Sequence, residues 1–249
     1  MYYIIIPFRN NPNEHRDKHL RYFIEYSVPL FKKILIDFKL VVVIQSPGAP
    51  FNRGALINIG VKLTDSQPGD IFFTHDVDIN PYEKTILKYY KPPIDDGYIQ
   101  GIYTSAWDTL GGIVKFKKND FLKINGFNNM FWGWGGEDKD LQNRASFHNL
   151  WIQKNITNRP EDSSDWFKVF DHPRNRNSNQ NPLKQYLLNG YPRFSRTKVG
   201  RYIKSTGISN IKYTINSDDS NLDIRYINVS IPYNPNENNR YLQILSKFV

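Results

Sequence analysis

The sequence predicts an α/β domain with a largely parallel central β-sheet. Short apolar runs rich in valine and isoleucine alternate with segments of helical periodicity, and 39% of the residues are hydrophobic. Strand–helix–strand order with apolar strands is typical of such sheets, and this apolar content is enough to form a core. Because no convincing linker divides the chain, we expect a single domain over residues 1–249.

The elements of the first half of the chain alternate in type. Apolar runs at Tyr2–Ile6, Leu40–Gln45 and Asp70–Thr74 predict strands, the first of them buried. His15–Phe31 has the apolar spacing of a helix, and Asn52–Leu63 is predicted to be a second helix. The third strand runs directly into the segment HDVDINP, so polar side chains follow a buried strand at that point.

The second half begins with a short strand at Gly112–Phe116 and a short helix at Lys118–Ile124. The stretch FWGWGGEDKDLQNR follows, in which two tryptophans and three glycines precede a run of acids. Asp138–Asn149 is predicted to be a helix with acidic residues at its N-terminal end, where negative charge interacts favourably with the helix dipole. The glycines would let the loop move and carry Trp134 over a bound ligand.

The C-terminal part gives fewer signals. Residues 175–189 are rich in asparagine and proline, which predicts a long surface loop. Ile208–Asn216 and Asp223–Ile231 alternate between polar and apolar residues. This alternation predicts a pair of strands near the end of the chain.

The chain is basic, with a net charge of +9 and an isoelectric point of about 9.5. Such a balance can indicate an anionic partner such as nucleic acid or a phosphorylated ligand. It can also reflect a composition rich in lysine and asparagine. No basic run of the kind found in nucleic-acid patches occurs, so we do not expect a nucleic-acid partner.

Two further absences bear on the compartment. The chain has no cysteine, which excludes disulfides and thiolate metal sites and suits a reducing compartment. The apolar run in MYYIIIPFRN is too short for a signal peptide or a membrane span, and no later window reaches about 18 apolar residues. We therefore expect a soluble, cytoplasmic protein without a membrane span.

Two carboxylates follow the third predicted strand. Asp76 and Asp78 flank Val77 in a D-x-D pattern, which places both side chains at the sheet edge where α/β proteins bind ligands. Such a pair can hold a hard divalent cation while a diphosphate fills the remaining positions. A solvated turn is the other interpretation of so short a pattern, and both stay open at this point.

Other candidate residues for ligand or metal binding are a histidine and two arginines. His172 is either a surface or packed residue or a metal ligand, and an imidazole ligand would favour Mn²⁺ over Mg²⁺. Arg9 follows Phe8, and Arg53 lies two residues after Phe51. Each pair could grip a phosphate while the ring stacks on a base, or each arginine could be an ordinary residue at a strand end.

Glu137 and Asp138 follow the glycine turn at a predicted helix start. They are either a charged first turn that caps the helix or part of a catalytic site. In the second case, a carboxylate held near a sugar hydroxyl can accept its proton in the transition state. Both interpretations fit the pattern on its own.

Longer motifs carry a resemblance to a known family. FNRGALINIG, HDVDINP, GGIVKFKKNDFLKINGF and WGWGGEDKDLQNR, in this order and spacing, resemble the β-1,4-galactosyltransferase family, glycosyltransferase family 7. PFRN, the segment around His172 and STGISNIKYT also fall in the expected places, so the resemblance runs from Tyr3 to about Ile231. It implies a GT-A fold, a Rossmann-like nucleotide-diphospho-sugar transferase fold, with a nucleotide and donor half over about residues 1–110 and an acceptor half over about 111–249.

The resemblance also implies roles for individual residues, carried over position by position. Asp78 and His172 would hold Mn²⁺, with Mg²⁺ as the alternative, Asp138 would be the catalytic base, and Glu137 would hold sugar hydroxyls. The acceptor would contact Trp134, Asp138, Lys139 and Lys184. The residues that bind the nucleotide and donor sugar would be Phe8, Arg9, Phe51, Arg53, Asp76, Val77, Asp78, Thr109, Gly112 and Trp134.

The chain departs from the family at several of these positions. Val169 stands where a methionine usually helps to hold the metal, which predicts weaker metal binding. Lys139 replaces an acid and Lys184-Gln185 replaces an Arg-Phe pair, which argues against plain N-acetylglucosamine as the acceptor. Thr109 replaces a tyrosine and leaves room for an acetamido group, so the donor could be UDP-Gal or UDP-GalNAc.

The resemblance implies an inverting transferase that moves galactose or N-acetylgalactosamine from a UDP-sugar to a hydroxyl of a glycan or glycoconjugate acceptor, forming a β-linkage. The alternative is a catalytically inactive module of the same fold that binds a UDP-sugar or a glycan. Because the membrane anchor and cysteines of the secretory animal members are missing, we expect a cytoplasmic enzyme from a bacterium or a virus.

Overall fold

An eight-stranded sheet runs through the centre of the molecule. The structure is a computed structural model, and it describes residues 1–11, 14–105, 109–171, 195–234 and 236. The strands are β1 (Tyr2–Phe8), β2 (Phe38–Gln45), β3 (Ile71–His75), β4 (Ile79–Pro81), β5 (Tyr98–Thr104), β6 (Ile113–Lys117), β7 (Trp151–Thr157), β8 (Phe167–Val169), β9 (Thr214–Ser220) and β10 (Ile224–Ser230). The α-helices are α1 (Arg16–Tyr22), α2 (Val28–Ile34), α3 (Arg53–Lys62), α4 (Glu83–Thr85), α5 (Lys118–Lys123), α6 (Glu137–Phe147), α7 (Pro160–Ser163) and α8 (Arg196–Ser205).

The strand order across the sheet is β7-β5-β6-β3-β1-β2-β10-β9, and β4 pairs with β8 in a small separate sheet. Neighbouring strands are parallel from β3 through β1 and β2 to β10, and β7 is parallel to β5. Within these described strands, β6 and β9 run the opposite way. The prediction of an α/β domain with a mostly parallel sheet is confirmed. The carboxyl ends of β1, β2 and β3 therefore meet at one edge of the sheet.

Alternating side chains of the central strands face two separate cores. On one face Ile5 and Val43 pack with Ile59 of α3, and on the other face Ile4 packs with Phe31 of α2. All of these residues are fully buried. Since side chains alternate between the two faces of a strand, a continuous apolar run is what a sheet covered on both faces requires.

The predicted helix at His15–Phe31 is present but interrupted. A π-helical turn over Phe23–Ser27 separates α1 from α2. Pro29 lies in the first turn of α2 and has no N–H to donate to the carbonyl of Glu25. Just before this proline the Val28 N–H donates to Phe23 O, five residues back, which is the hydrogen-bond pattern of a π turn. None of the described helices is long and apolar enough to span a lipid bilayer.

Several elements at the periphery differ from the sequence-based expectations. β4, β5, β7, β8 and α8 are not predicted by the sequence patterns, and Ile208–Asn210 forms a 3₁₀ turn rather than the start of a strand. The terminal strand pair exists, but every residue of β9 is exposed, so no hydrophobic alternation marks its true position. The predicted loop at 175–189 lies outside the described residues. The division of the chain at about residue 110 stays a prediction.

Candidate active site

Three elements that are distant in sequence meet at the carboxyl edge of the sheet. Asp76 follows β3, Arg53 is the first residue of α3, and Asp138 lies in the first turn of α6. Arg53 Nε donates to Asp76 Oδ1 at 2.8 Å, and Arg53 Nη1 donates to Asp138 Oδ1 at 3.0 Å. One guanidinium thus joins a carboxylate at the end of a strand to a carboxylate at the start of a helix.

The segment before β6 shapes the space around Asp138. The Asp76 N–H donates to Gly112 O at 3.1 Å, and the Leu110 N–H donates to Asp138 O at 3.1 Å. A Cβ added to Gly111 would lie 2.0 Å from Asp138 Oδ2, so only glycine leaves room for this carboxylate. Gly112 has a φ of +73°, in the left-handed region that favours glycine. The adjacent glycines are therefore required by the position of Asp138 and by the turn into β6.

The loop before α6 holds its two tryptophans differently. Gly133, Gly135 and Gly136 all have positive φ, at 71°, 93° and 95°. Trp132 is 8% exposed and packs against Tyr233, with the ring centroids 4.8 Å apart, whereas Trp134 is 45% exposed. Trp132 anchors the loop to the body of the protein, and Trp134 is presented to solvent at the start of α6.

Burial and neighbouring charges shift the pKa values of the acids at this edge. Burial raises the pKa of Asp138 well above its ordinary value, the Arg53 guanidinium opposes this rise, and the charges of Glu137 and Asp76 add to it. Burial also raises the pKa of Asp76, again against Arg53, with Asp78 contributing to the rise. A carboxylate with a raised pKa is a stronger base, which suits the role predicted for Asp138.

The carboxylate of Asp78 is suited to a metal ion, and the described residues supply part of a ligand set. Asp78 is 7% exposed, and its Oδ1 lies 3.5 Å from Arg16 Nη1. Its main-chain oxygen accepts from the Phe170 N–H at 2.9 Å, and Val169 pairs with Ile79 in the β4–β8 sheet. This pairing brings the end of β8 beside Asp78.

The second predicted ligand, His172, lies just after β8 and outside the described residues. In the described part of the chain, no three His, Asp or Glu side chains come together as a complete metal site. The hard oxygen ligands of Asp76 and Asp78 at this edge nevertheless fit a divalent cation that takes its other ligands from a substrate. The chemistry of the donor set is therefore compatible with the predicted metal.

The predicted nucleotide-binding residues are near one another but differ in exposure. The Arg9 guanidinium carbon lies 5.4 Å from the centre of the Phe51 ring, and Arg9 Nη1 donates to Ala49 O at 2.6 Å. Phe51 is partly exposed, whereas Phe8 and Val77 are buried, at 7% and 4% exposure. Arg9 and Phe51 therefore form a pair of a cation and an aromatic ring, while Phe8 and Val77 pack into the core.

The residues predicted to face the donor sugar and the acceptor are only partly described. The Thr109 hydroxyl lies 3.1 Å from the Ser105 hydroxyl, and Glu137 is buried at 7% exposure. Lys139 is partly exposed on α6. Lys184 lies outside the described residues, so its predicted role stays a prediction.

The structure also adds residues to the site that the sequence patterns do not indicate. Arg16 contacts Asp78 from the start of α1, and the Phe127 ring lies 5.7 Å from the Arg53 guanidinium carbon. No motif links these residues to their partners, because the contacts join segments that are far apart in sequence. The sequence does show a pair of glycines before β6. Only the position of Asp138 in the structure explains why Gly111 must be a glycine.

Two family models match this chain. Residues 2–91 match the family described as the N-terminal region of glycosyl transferase group 7, and residues 100–162 match the family described as the N-terminal domain of galactosyltransferase. The chain is 28% identical over 236 residues to human β-1,4-galactosyltransferase 4, covering 92% of this chain and 62% of that protein. It is 30% identical over 221 residues to β-1,4-galactosyltransferase 2 of Cricetulus griseus, covering 85% and 54%. The chain thus spans only part of the length of these relatives.

Solved structures give the same picture for the fold. The catalytic domain of Drosophila β1,4-galactosyltransferase 7 in complex with xylobiose superposes with a TM-score of 0.70 at 22% identity, covering 96% of this chain and 97% of that chain. A mutant of that protein in complex with manganese, UDP-Gal and xylobiose gives a TM-score of 0.69 at 20% identity, covering 96% of this chain and 97% of that chain. These likenesses confirm the predicted GT-A fold.

The prediction of a cytoplasmic protein is wrong. The relatives named above are β-1,4-galactosyltransferases from Homo sapiens and Cricetulus griseus, and both are longer than this chain. The prediction rested on segments that this sequence lacks. A chain that spans only part of its relatives gives no basis for such a conclusion.

Proposed function

Because the chain belongs to glycosyltransferase family 7, the family of the β-1,4-galactosyltransferases, we propose that it is an inverting, metal-dependent transferase. It would move galactose from UDP-galactose to a hydroxyl of a glycan acceptor and form a β-linkage. The observation that carries this proposal is the Arg53 bridge, because it joins Asp76, the residue proposed for the donor side, to Asp138, the base proposed for the acceptor side. The relatives named above are galactosyltransferases, and one solved neighbour holds manganese, UDP-Gal and xylobiose.

The donor nucleotide would lie against Arg9 and Phe51. The Phe51 ring is partly exposed and can stack on the uracil base, while the two arginines supply positive charge for the diphosphate. Arg53 Nη2 is buried and has no hydrogen-bond partner within the described part of the chain. This N–H group is therefore the one with which Arg53 would contact the donor.

The metal would be held by Asp78 and His172. A bound Mn²⁺ ion, or Mg²⁺ as the alternative, would neutralise negative charge on the diphosphate as it leaves. The side chain of Val169, which is 42% exposed and pairs with Ile79 next to Asp78, has no atom that can coordinate a metal. We therefore expect weaker metal binding here than at a site with an additional protein ligand.

Asp138 would accept the proton of the acceptor hydroxyl. The oxygen of that hydroxyl then forms the new bond to the anomeric carbon from the face opposite the diphosphate, and UDP leaves with the electrons of the broken bond. Glu137 would hold sugar hydroxyls, since its Oε2 is buried and makes no hydrogen bond to any described residue. Trp134 would cover the bound sugars, which would exclude water from the reaction.

Two finer features of specificity belong to the proposal. Thr109 is small enough to admit an acetamido group at the donor sugar, so UDP-GalNAc is a second candidate donor. Lys139 follows the proposed base on α6 and would bring a positive charge to the acceptor side. Together with Lys184 it favours an acceptor other than plain N-acetylglucosamine.

The direct test is a transfer assay with UDP-Gal and UDP-GalNAc, each with Mn²⁺, with Mg²⁺ or with EDTA, against a panel that includes xylobiose and N-acetylglucosamine. We expect metal-dependent transfer from one donor, which Asp78→Ala abolishes. Asp96→Ala, at an exposed aspartate that pairs with Lys117, is the matched control and should leave the rate unchanged.

A different result would support the alternative of an inactive binding module. In that case neither donor would be turned over with any acceptor or metal. Calorimetry would then show glycan binding that does not respond to UDP or to Mn²⁺. Binding of UDP with Mn²⁺ but without transfer would leave the nucleotide site in place and contradict the catalytic role of Asp138.

A further inference from the structure

We propose that Arg53 is the positioning residue of the general base: its guanidinium holds the Asp138 carboxylate in place at the start of α6 and ties it to Asp76. This inference rests on the proposed function, in which Asp138 accepts the acceptor proton. It gives Arg53 a role that differs from contact with the donor phosphates. Two of its three nitrogens already bond to carboxylates, at 2.8 Å to Asp76 and 3.0 Å to Asp138.

The start of α6 cannot fix Asp138 by itself. Three glycines with positive φ lie in the loop before the helix, and Gly136 occupies its N-cap position. No side chain of the described residues caps this helix end. With no side-chain cap, this first turn depends on contacts from outside the helix: the Leu110 N–H holds the main chain of Asp138, and Arg53 contacts its side chain.

Arg53 is itself held rigidly, so it can act as that contact. Asn52 caps α3, because its Oδ1 accepts from the Ala55 N–H at 3.0 Å, and its Nδ2 donates to Asn129 O at 2.7 Å. The Phe127 ring lies beneath the guanidinium at 5.7 Å. Arg53 therefore enters the site from an anchored helix start, with only 11% of its side chain exposed.

The Asp138 carboxylate is confined on both of its oxygens. Oδ1 accepts from Arg53 Nη1 at 3.0 Å, and Oδ2 lies where a Cβ on Gly111 would be 2.0 Å away. Arg53 on one side and the Gly111 backbone on the other thus restrict the orientation of the carboxylate. A base held in one orientation can meet the acceptor hydroxyl without a search among rotamers.

The charges around Asp138 show what the loss of Arg53 would do. The charged neighbours of Asp138 are Arg53 on α3, Asp76 at the end of β3 and Glu137 on the same helix. Arg53 is the cation among these neighbours. Without it, two carboxylates and the partial burial of Asp138 would favour its protonated form. A protonated Asp138 cannot accept a proton from the acceptor.

The test compares Arg53→Gln, which removes the charge, with Arg53→Lys, which restores it without the planar fork. The pKa of Asp138 is measured by infrared difference titration of each protein against the same protein carrying Asp138→Asn. We expect Arg53→Gln to raise this pKa by about 1–3 units. Arg53→Lys should return it towards the wild-type value. This titration needs no activity, so it decides the inference even if the proposed transfer fails.

Kinetics provide the second readout. The acidic limb of the kcat–pH profile should move to higher pH in Arg53→Gln and return in Arg53→Lys. The plateau kcat of Arg53→Lys should stay at least about 10-fold low, because one ammonium cannot hold two carboxylates as a fork does. Arg225→Gln is the matched control, since Arg225 makes a two-point contact with Asp218 on the distant β9–β10 pair, and we expect no change from it.

The opposite result is equally clear. If Arg53 acts only on donor phosphates, the UDP dissociation constant rises in both variants. The Asp138 titration and the acidic limb then stay where they are in the wild type. That outcome would overturn the inference while leaving the proposed transferase activity intact.

Discussion

Helix α6 carries charges into two very different surroundings within its first eight residues. Asp138 faces the site and shares Arg53 with Asp76, and these two carboxylates are 23% and 31% exposed. Asp140 and Arg144 face the core, where Arg144 Nε donates to Asp140 Oδ2 at 2.6 Å and the two side chains are 1% and 0% exposed. Asp138, whose carboxylate is accessible to solvent, is thus only two residues from Asp140, whose carboxylate is buried.

The buried Asp140–Arg144 pair fixes α6 to its neighbours, whereas Asp138, Asp76 and Arg53 do not. Arg144 also lies 5.6 Å from the Tyr202 ring of α8, and the Tyr202 hydroxyl donates to Asp140 at 3.3 Å. This contact ties α6 to α8 through a pair made within one helix. The site carboxylates come from different elements and stay accessible, so their charge can change when a ligand arrives. The first turn of α6 contributes the proposed base, Asp138, and the Asp140–Arg144 pair holds the helix in place.

The largest effect should come from Asp138→Asn. It keeps the shape of the side chain but removes the base, so kcat should fall by about 10²–10⁴-fold. The UDP dissociation constant should change little, because the donor contacts are made elsewhere. Stopped transfer assays and calorimetry with UDP measure the two quantities. If the Asp138→Asn variant kept its activity, another residue would have to be the base, and the catalytic role assigned to the first turn of α6 would be wrong.

Asp140→Asn should affect the other side of the comparison. It leaves the enclosed Arg144 charge without its counter-charge, which costs about 3–5 kcal/mol in the free energy of unfolding. Urea unfolding of the wild type and the variant measures this loss. The protein that remains folded should still bind UDP. If the variant is as stable as the wild type but inactive, Asp140 belongs to the site and the division of α6 is wrong.

Much of this arrangement could be predicted from sequence where the signal is local. The sequence predicts Asp76 and Asp78 at the sheet edge because a strand that begins with three apolar residues runs into them. The acidic start of α6 after a glycine turn likewise predicted where Asp138 lies. Both depend on neighbours within a few residues, which periodicity and turn chemistry describe well.

The rest depends on contacts that no local pattern encodes. Arg53 and Asp138 are 85 positions apart, and their bond exists only because α3 and α6 pack on the same face of the sheet. The contact between Arg16 and Asp78 has the same origin. The terminal strand pair is predicted, but β9 lies at Thr214–Ser220 rather than at Ile208–Asn216, because a strand without a buried face has no hydrophobic alternation to mark its bounds.

Gly111→Ala tests the position of the Asp138 carboxylate without removing the carboxylate itself. The added methyl group would lie 2.0 Å from Asp138 Oδ2 and must displace the carboxylate. Because a shift of about 1 Å can cost about 100-fold in rate, we expect kcat to fall by about that factor. Gly200→Ala in α8, where the nearest atom to the new methyl group is 3.5 Å away, should leave the rate unchanged. Equal rates for wild type and Gly111→Ala would show that the orientation of Asp138 is not critical.

The smallest effect concerns His75, the core-facing neighbour of Asp76. His75 is fully buried, with Nδ1 2.9 Å from Asp76 O and Nε2 2.8 Å from the Tyr90 hydroxyl. Burial lowers its pKa to about 4, below the value of about 6.5 expected in the unfolded chain. Protonation therefore favours unfolding, and stability present above pH 6.5 is lost as the pH falls towards 4.

From these values, the free energy of unfolding should drop by about 2 kcal/mol between pH 7.5 and pH 5 because of His75 alone. Urea unfolding of the wild type and of His75→Gln at both pH values isolates this contribution, since the titration of the site carboxylates is common to both proteins. The stability difference between them should shrink at pH 5. If the difference in the free energy of unfolding were the same at both pH values, His75 would titrate like an exposed histidine. The core next to Asp76 would then be as open to solvent as the site itself.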